Sequence, residues 1–130
     1  MVVGSYVKPL LYMKSNNIIQ EKSYQFALEI IKVAQLLKKD THFEISSQLL
    51  KAGTSIGANV EEAIGGQSRR DFFSKLAISY KESRETHYWL RLVRDSGFLE
   101  LNLADEMILK CEEIMKIIGS IQKTMREKGM

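Results

Sequence analysis

An all-α fold, an antiparallel four-helix bundle in up-down-up-down order, follows from three features of the sequence. Apolar residues recur in steps of three and four through four separate segments, the breaks between segments span only a few residues, and the one proline, Pro9, precedes them all. Such steps put one narrow apolar stripe along each helix, as in bundles whose helices cross at about 20°. Short connections then force consecutive helices to be antiparallel neighbours. No segment shows a competing strand pattern.

The 130 residues suffice for one domain with a single core. Residues 1–16 carry no sustained period and are expected to form an N-terminal extension; 17–130 form the bundle. The first segment, about 18–39, carries Ile19, Phe26, Ile30, Val33 and Leu37, with Asn17 and Gln20 spaced as a capping box. The second opens at a box formed by Thr41 and Glu44, carries Ile45, Leu49, Ala52 and Ile56 and then meets Asn59. It stops at Gly65-Gly66, where a left-handed cap is sterically free. Ser68 and Asp71 open the third segment, whose line runs Phe72, Leu76, Ser79, Ser83, Thr86, Leu90, Val93 before Gly97. Asn102 and Asp105 open the fourth, with Met107, Cys111, Ile114, Ile118, Ile121 and Met125.

Gly53 and Gly57 lie well inside the second helix, where each costs about 1 kcal/mol relative to alanine if exposed. With Ala52, Ser55 and Ala58 they make a face nearly free of side chains, expected to pack closely on Ser79 and Ser83 of the third helix.

Composition narrows the function classes. A net charge of +3 permits an acidic partner without demanding one. The lone cysteine, Cys111, falls in an apolar line, which rules out a disulfide framework and a cysteine-based metal site and points to a reducing, cytoplasmic setting. No apolar run approaches the roughly 20 residues that span a bilayer, so no membrane association is expected.

Polar residues on the core lines are the first candidate site. Ser55, Asn59 and Glu62 share one helical face, and Ser79, Glu82 and Thr86 share another. An unpartnered buried polar group costs roughly 1 to 3 kcal/mol, so these residues are expected to join in one buried network, with Arg84 neutralising Glu62 or Glu82, or to meet a ligand. The network reading is preferred; an enzyme or small-ligand site is the alternative. A di-iron centre needs Glu-x-x-His, yet the third residue after Glu82 is Glu85, and neither His42 nor His87 has a carboxylate three residues before it. No catalytic residue, metal or other cofactor is expected.

A second candidate is basic. Arg84, His87, Arg91 and Arg94 fall three, four and three residues apart, with Tyr80 and Tyr88 nearby and Arg69 and Arg70 at the opening of the same helix. Guanidinium groups hold phosphates and tyrosines stack on unpaired bases, which makes this stripe a candidate RNA-binding surface; salt bridges to Glu85, Asp95 or another subunit are the competing account. A third feature is an additional apolar edge on the same helix, Ile78, Trp89 and Leu92, expected to serve as an oligomer interface.

Two stretches carry a resemblance. Ser55-Ile56-Gly57-Ala58-Asn59-Val60-Glu61-Glu62-Ala63 and Lys81-Glu82-Ser83-Arg84-Glu85-Thr86-His87-Tyr88-Trp89-Leu90, in this order, resemble the signature of the bacterial four-helix bundle protein family, also called the 23S ribosomal RNA intervening sequence protein family. Asn17 to Tyr24 also fits its opening, and Met13-Lys14-Ser15-Asn16-Asn17 resembles a native start, which would make 1–12 an upstream addition. Many members have proline where this chain has Gly57, placing it nearer the branch with Glu-Glu-Ala. The resemblance implies a small cytoplasmic bundle that assembles with itself, often as a pentamer, and an RNA connection without an established activity.

Overall fold

The computed structural model describes residues 10–129, with side chains from Ile18 onward. Four helices follow in order: α1 (Leu10–Lys39), α2 (Phe43–Ile64), α3 (Arg69–Asp95) and α4 (Leu101–Glu127). Each packs against the next, α1 also packs against α4, and no strand is present among the described residues, so the chain is a four-helix bundle. Phe26, Ile30, Ile56, Leu76, Leu90 and Ile118 are among the side chains that fill its interior.

The helix boundaries near 39, 64 and 95 agree with the sequence; several of the devices at helix ends differ. Helix α1 begins at Leu10, well before the expected start near Ile18, and passes straight through the proposed cap at Asn17. Gln20 donates to the Glu61 carboxylate at 3.1 Å, close to where α2 ends, so α1 starts beyond the end of α2. The Thr41 box does not form: Thr41 adopts a left-handed φ of 67° and its hydroxyl donates to the Asp40 carbonyl, leaving His42 as the residue before α2. His42 instead stacks on Phe98, with centroids 3.7 Å apart, tying loop 40–42 to loop 96–100.

Gly65 stops α2 where expected but with φ of −80°, in the right-handed region. Left-handed glycines occur after α3 and α4 instead, at Gly97 with φ 77° and Gly129 with φ 69°. Ser68 caps α3 as predicted, its hydroxyl accepting from the Asp71 N–H at 3.0 Å. At α4 the cap is Glu100, whose carboxylate accepts from the Asn102 N–H, so the Asn102 and Asp105 box is displaced.

Gly53 and Gly57 do mark a close helix contact, but with α1 and not α3. A Cβ on Gly53 would lie 2.7 Å from Ile30 Cγ2, and one on Gly57 would lie 3.3 Å from the Ser23 carbonyl oxygen. Ser46 crosses the same seam, its hydroxyl donating to the Ala34 carbonyl at 2.6 Å.

Candidate functional site

The proposed polar cluster separates into two populations. Ser79, Ser83 and Thr86 are fully buried on the core line of α3, as the sequence indicates. Each hydroxyl donates to a backbone carbonyl: Ser79 to Ile56 at 2.8 Å across the α2–α3 seam, Ser83 to Tyr80 at 2.6 Å, and Thr86 to Glu82 at 2.8 Å. Helical carbonyls keep a second lone pair, so buried hydroxyls find acceptors without a side-chain network. Among the described residues no buried side-chain polar atom lacks a partner.

Ser55, Asn59, Glu62 and Glu82 do not join them in one buried site. The Ser55 hydroxyl donates to the Lys51 carbonyl, and the Asn59 amide donates to the Ser55 carbonyl at 2.8 Å, both one turn back along α2. Glu62 is exposed and pairs with Lys75 at 3.0 Å, a contact whose hydrogen bond and charge raise the Lys75 pKa. Glu82 is only half-buried, and Arg84 is exposed, with no ionic partner among the described residues. The expected neutralisation of Glu62 or Glu82 by Arg84 is therefore not made. The apolar line of α2 runs through Val60 and Ala63, which leaves Asn59 and Glu62 on its flank. Cys111 is buried against the Ser83 carbonyl, and burial pushes its thiol up to about 12, far from a reactive thiolate.

Helix α3 presents two unlike flanks. Toward α2, as Lys75 shows by its contact with Glu62, lie Ile78, Glu82, Glu85, Trp89 and Leu92. Ile78 and Leu92 are 41% and 37% exposed, while Trp89 packs partly on the core and its indole N–H donates to Glu85 at 3.1 Å. Toward α4 the spacing four, three, four, three, four gives Phe73, Ala77, Tyr80, Arg84, His87 and Arg91. His87 meets Glu112 at 2.9 Å, and Arg94 bonds Asp95 at 2.8 Å and Asp105 at 3.2 Å. Those two carboxylates hold the Arg94 guanidinium in its charged form, and Arg94 in turn lowers the Asp95 pKa. The salt-bridge account thus applies to Arg94, and His87 is engaged by its hydrogen bond with Glu112. Arg84 and Arg91 remain exposed, Arg91 lying 5.8 Å from the centroid of the Tyr88 ring, which also meets Trp89 edge-on. Arg69 and Arg70 are exposed at the far end of α3.

The sequence reading missed the α4 half of this surface. Lys116, Gly119, Lys123 and Arg126 follow the same three and four spacing along the flank of α4 that carries Glu112. Arg126 sits over the Phe73 ring at 5.4 Å, and Lys116 and Lys123 have no ionic partner among the described residues. Between the helices lies a groove of about 750 Å³ lined by Tyr80, Glu112, Met115, Lys116, Gly119, Gln122 and Arg126. The signal was present in the sequence, as a cationic repeat beside the apolar line of the fourth segment. Among the described residues no group of three or more His, Cys, Asp or Glu side chains is arranged to hold a metal ion, and no helix is long and apolar enough to cross a membrane.

A comparison with curated proteins finds no match. Among solved structures, a crystal structure from Bacteroides thetaiotaomicron VPI-5482, described as a protein of unknown function from the S23 ribosomal protein family, superposes with a TM-score of 0.81 at 38% identity, covering 84% of this chain and 98% of that one. The sequence profile described as 23S rRNA-intervening sequence protein matches residues 15–120, a span containing both stretches quoted from α2 and α3. The chain therefore belongs to the 23S rRNA-intervening sequence protein family.

Proposed function

We propose that the protein is a non-enzymatic, cytoplasmic scaffold that associates with RNA and works as a homo-oligomer. The observation that carries this reading is the cationic face shared by α3 and α4. Arg84, Lys116 and Lys123 lack acidic partners among the described residues, and Arg91 and Arg126 lie over aromatic rings. A surface of this kind neutralises phosphates and releases their counterions, whatever the sequence of the nucleic acid. Titrating labelled single-stranded and structured RNA at several salt concentrations tests it. Binding at micromolar to tens of micromolar protein, weakening linearly on logarithmic axes, is expected; no binding at low salt would overturn it.

Self-association is supported by a different observation. On the outer face of α1, Tyr24, Leu28 and Ile31 recur at four and three residues and are 59%, 40% and 39% exposed. The register set by Ser46 with Ala34 and Gly57 with Ser23 places Leu50, itself 38% exposed, opposite Ile31. Ile78 and Leu92 add a second apolar edge on α3. Light scattering coupled to size exclusion should give a mass well above the 14.9 kDa subunit, and Leu28→Glu should lower it. A 14.9 kDa species at every concentration would overturn the oligomer. A count of five rests on the family resemblance alone.

A further inference from the structure

The groove between α3 and α4 is shaped by a glycine that packing within the subunit does not require. His87 with Glu112, Arg94 with Asp105, and Phe73 with Arg126 fix the antiparallel register of the two helices, and that register puts Gly119 directly across from Tyr80. Among the described residues, a Cβ built on Gly119 would meet nothing within 4 Å. Glycine inside a helix is less stable than alanine, so here that cost leaves an open gap over a half-buried tyrosine and gains no helix contact. Met115 and Gln122 line the same gap, and Lys116 and Arg126 lie along it.

We propose that this groove is a nucleobase subsite: an unpaired base of single-stranded RNA enters the gap left by Gly119 and stacks on Tyr80, while Lys116, Arg126 and Arg84 hold the adjoining phosphates. The inference rests on the RNA-associated reading and goes beyond it by naming the pocket, the stacking residue and the single-stranded class of RNA. Charge selects the occupant. An apolar peptide would leave Lys116 and Arg126 facing no counter-charge, whereas a polynucleotide supplies a flat ring and phosphates on either side. Glu112, the one carboxylate lining the groove among the described residues, is already turned to His87. A duplex keeps its bases stacked and cannot place one in the gap.

The test uses the full-length protein and a short labelled oligouridine, alongside the same backbone with its bases removed. Gly119→Leu fills the gap without touching a cation, and Tyr80→Ala removes the platform; each should weaken oligouridine binding about tenfold, the scale of losing one stacked base. Tyr80→Phe should bind within about twofold of the parent, since the ring face is kept. Gly119→Leu should leave the salt slope and the affinity for the abasic backbone unchanged, while Lys116→Gln with Arg126→Gln should lower both. Helicity and melting of each variant establish that it is folded. Equal oligouridine binding by the parent and by Gly119→Leu would overturn the subsite and leave the phosphate-binding face standing. Failure of the parent to bind either oligomer would overturn the RNA reading together with it.

Discussion

The α1–α2 seam and the α3–α4 seam use glycine in opposite ways. In the first, Gly53 and Gly57 let two backbones meet, with Ile30 and the Ser23 carbonyl filling the space a side chain would take. In the second, Gly119 faces open space across from Tyr80 and widens a groove. The outer surfaces differ in the same sense. Tyr24, Leu28, Ile31 and Leu50 make the first face apolar, whereas Arg84, Lys116, Lys123 and Arg126 make the second cationic. A helical glycine therefore carries no fixed structural meaning; what stands across from it decides whether it closes a contact or opens one.

The largest test of this contrast is a difference in sign. Gly53→Ala should destabilise the fold by about 1 to 3 kcal/mol, because the new Cβ overlaps the β-branched Ile30, whose atoms have little freedom to withdraw. Gly119→Ala should stabilise it by about 0.5 to 1 kcal/mol through helix propensity, with nothing in the way. Urea unfolding of both variants measures the difference directly. If both stabilise, the α1–α2 seam does not depend on a missing side chain.

Next in size is the α2–α3 seam that lies between them. Ser79→Ala removes the buried hydroxyl that donates to the Ile56 carbonyl and should cost about 1 kcal/mol. Asn59→Leu, which would cost several kcal/mol if Asn59 belonged to a buried network, should change stability by no more than about 0.5 kcal/mol, since among the described residues its amide bonds only the Ser55 carbonyl one turn away. A large loss from Asn59→Leu would restore the network. Comparable unfolding midpoints for the two variants would remove the distinction between core hydroxyl and flanking amide.

These two residues show how far the sequence could be read. Four helices and most of the core were legible because a repeat of three and four, summed over many residues, has a single structural solution. Ser79, Ser83 and Thr86 were correctly placed on the core line by that same repeat. Their partners were not legible: the acceptors are backbone carbonyls, which every residue carries and no residue type marks. Asn59 was misplaced because the stripe branches after Ile56, where a step of three leads to Asn59 and a step of four leads to Val60, and the apolar choice wins burial. Gly53 and Gly57 advertised a close approach without naming the helix approached, since the serines of α3 and the Ser23 backbone of α1 offered equivalent small partners. Caps at Thr41 and Asn102 failed because nearby groups, His42 stacked on Phe98 and the Glu100 carboxylate, settle those ends through contacts that spacing does not encode.

The smallest expected effect lies at the α1–α4 edge, where the two seams join. Lys110 bonds Glu29 of α1 at 2.6 Å and Glu106 of its own helix at 3.0 Å, and these two carboxylates raise its pKa above the usual 10.5. A raised folded value means that the contribution is complete below the unfolded pKa and disappears as pH climbs through the folded one, that is, above 10.5. Because all three side chains are partly exposed, Lys110→Met should cost only about 0.5 kcal/mol near neutral pH, and added salt should shrink that cost. The difference between parent and variant isolates Lys110 from the tyrosines and other lysines that also titrate at high pH. It should be steady from about pH 7 to pH 9 and decline beyond about pH 10.5. A difference that persists undiminished to about pH 12 would mean that the Lys110 stem, packed between α1 and α4, contributes through its methylenes and not through its charge.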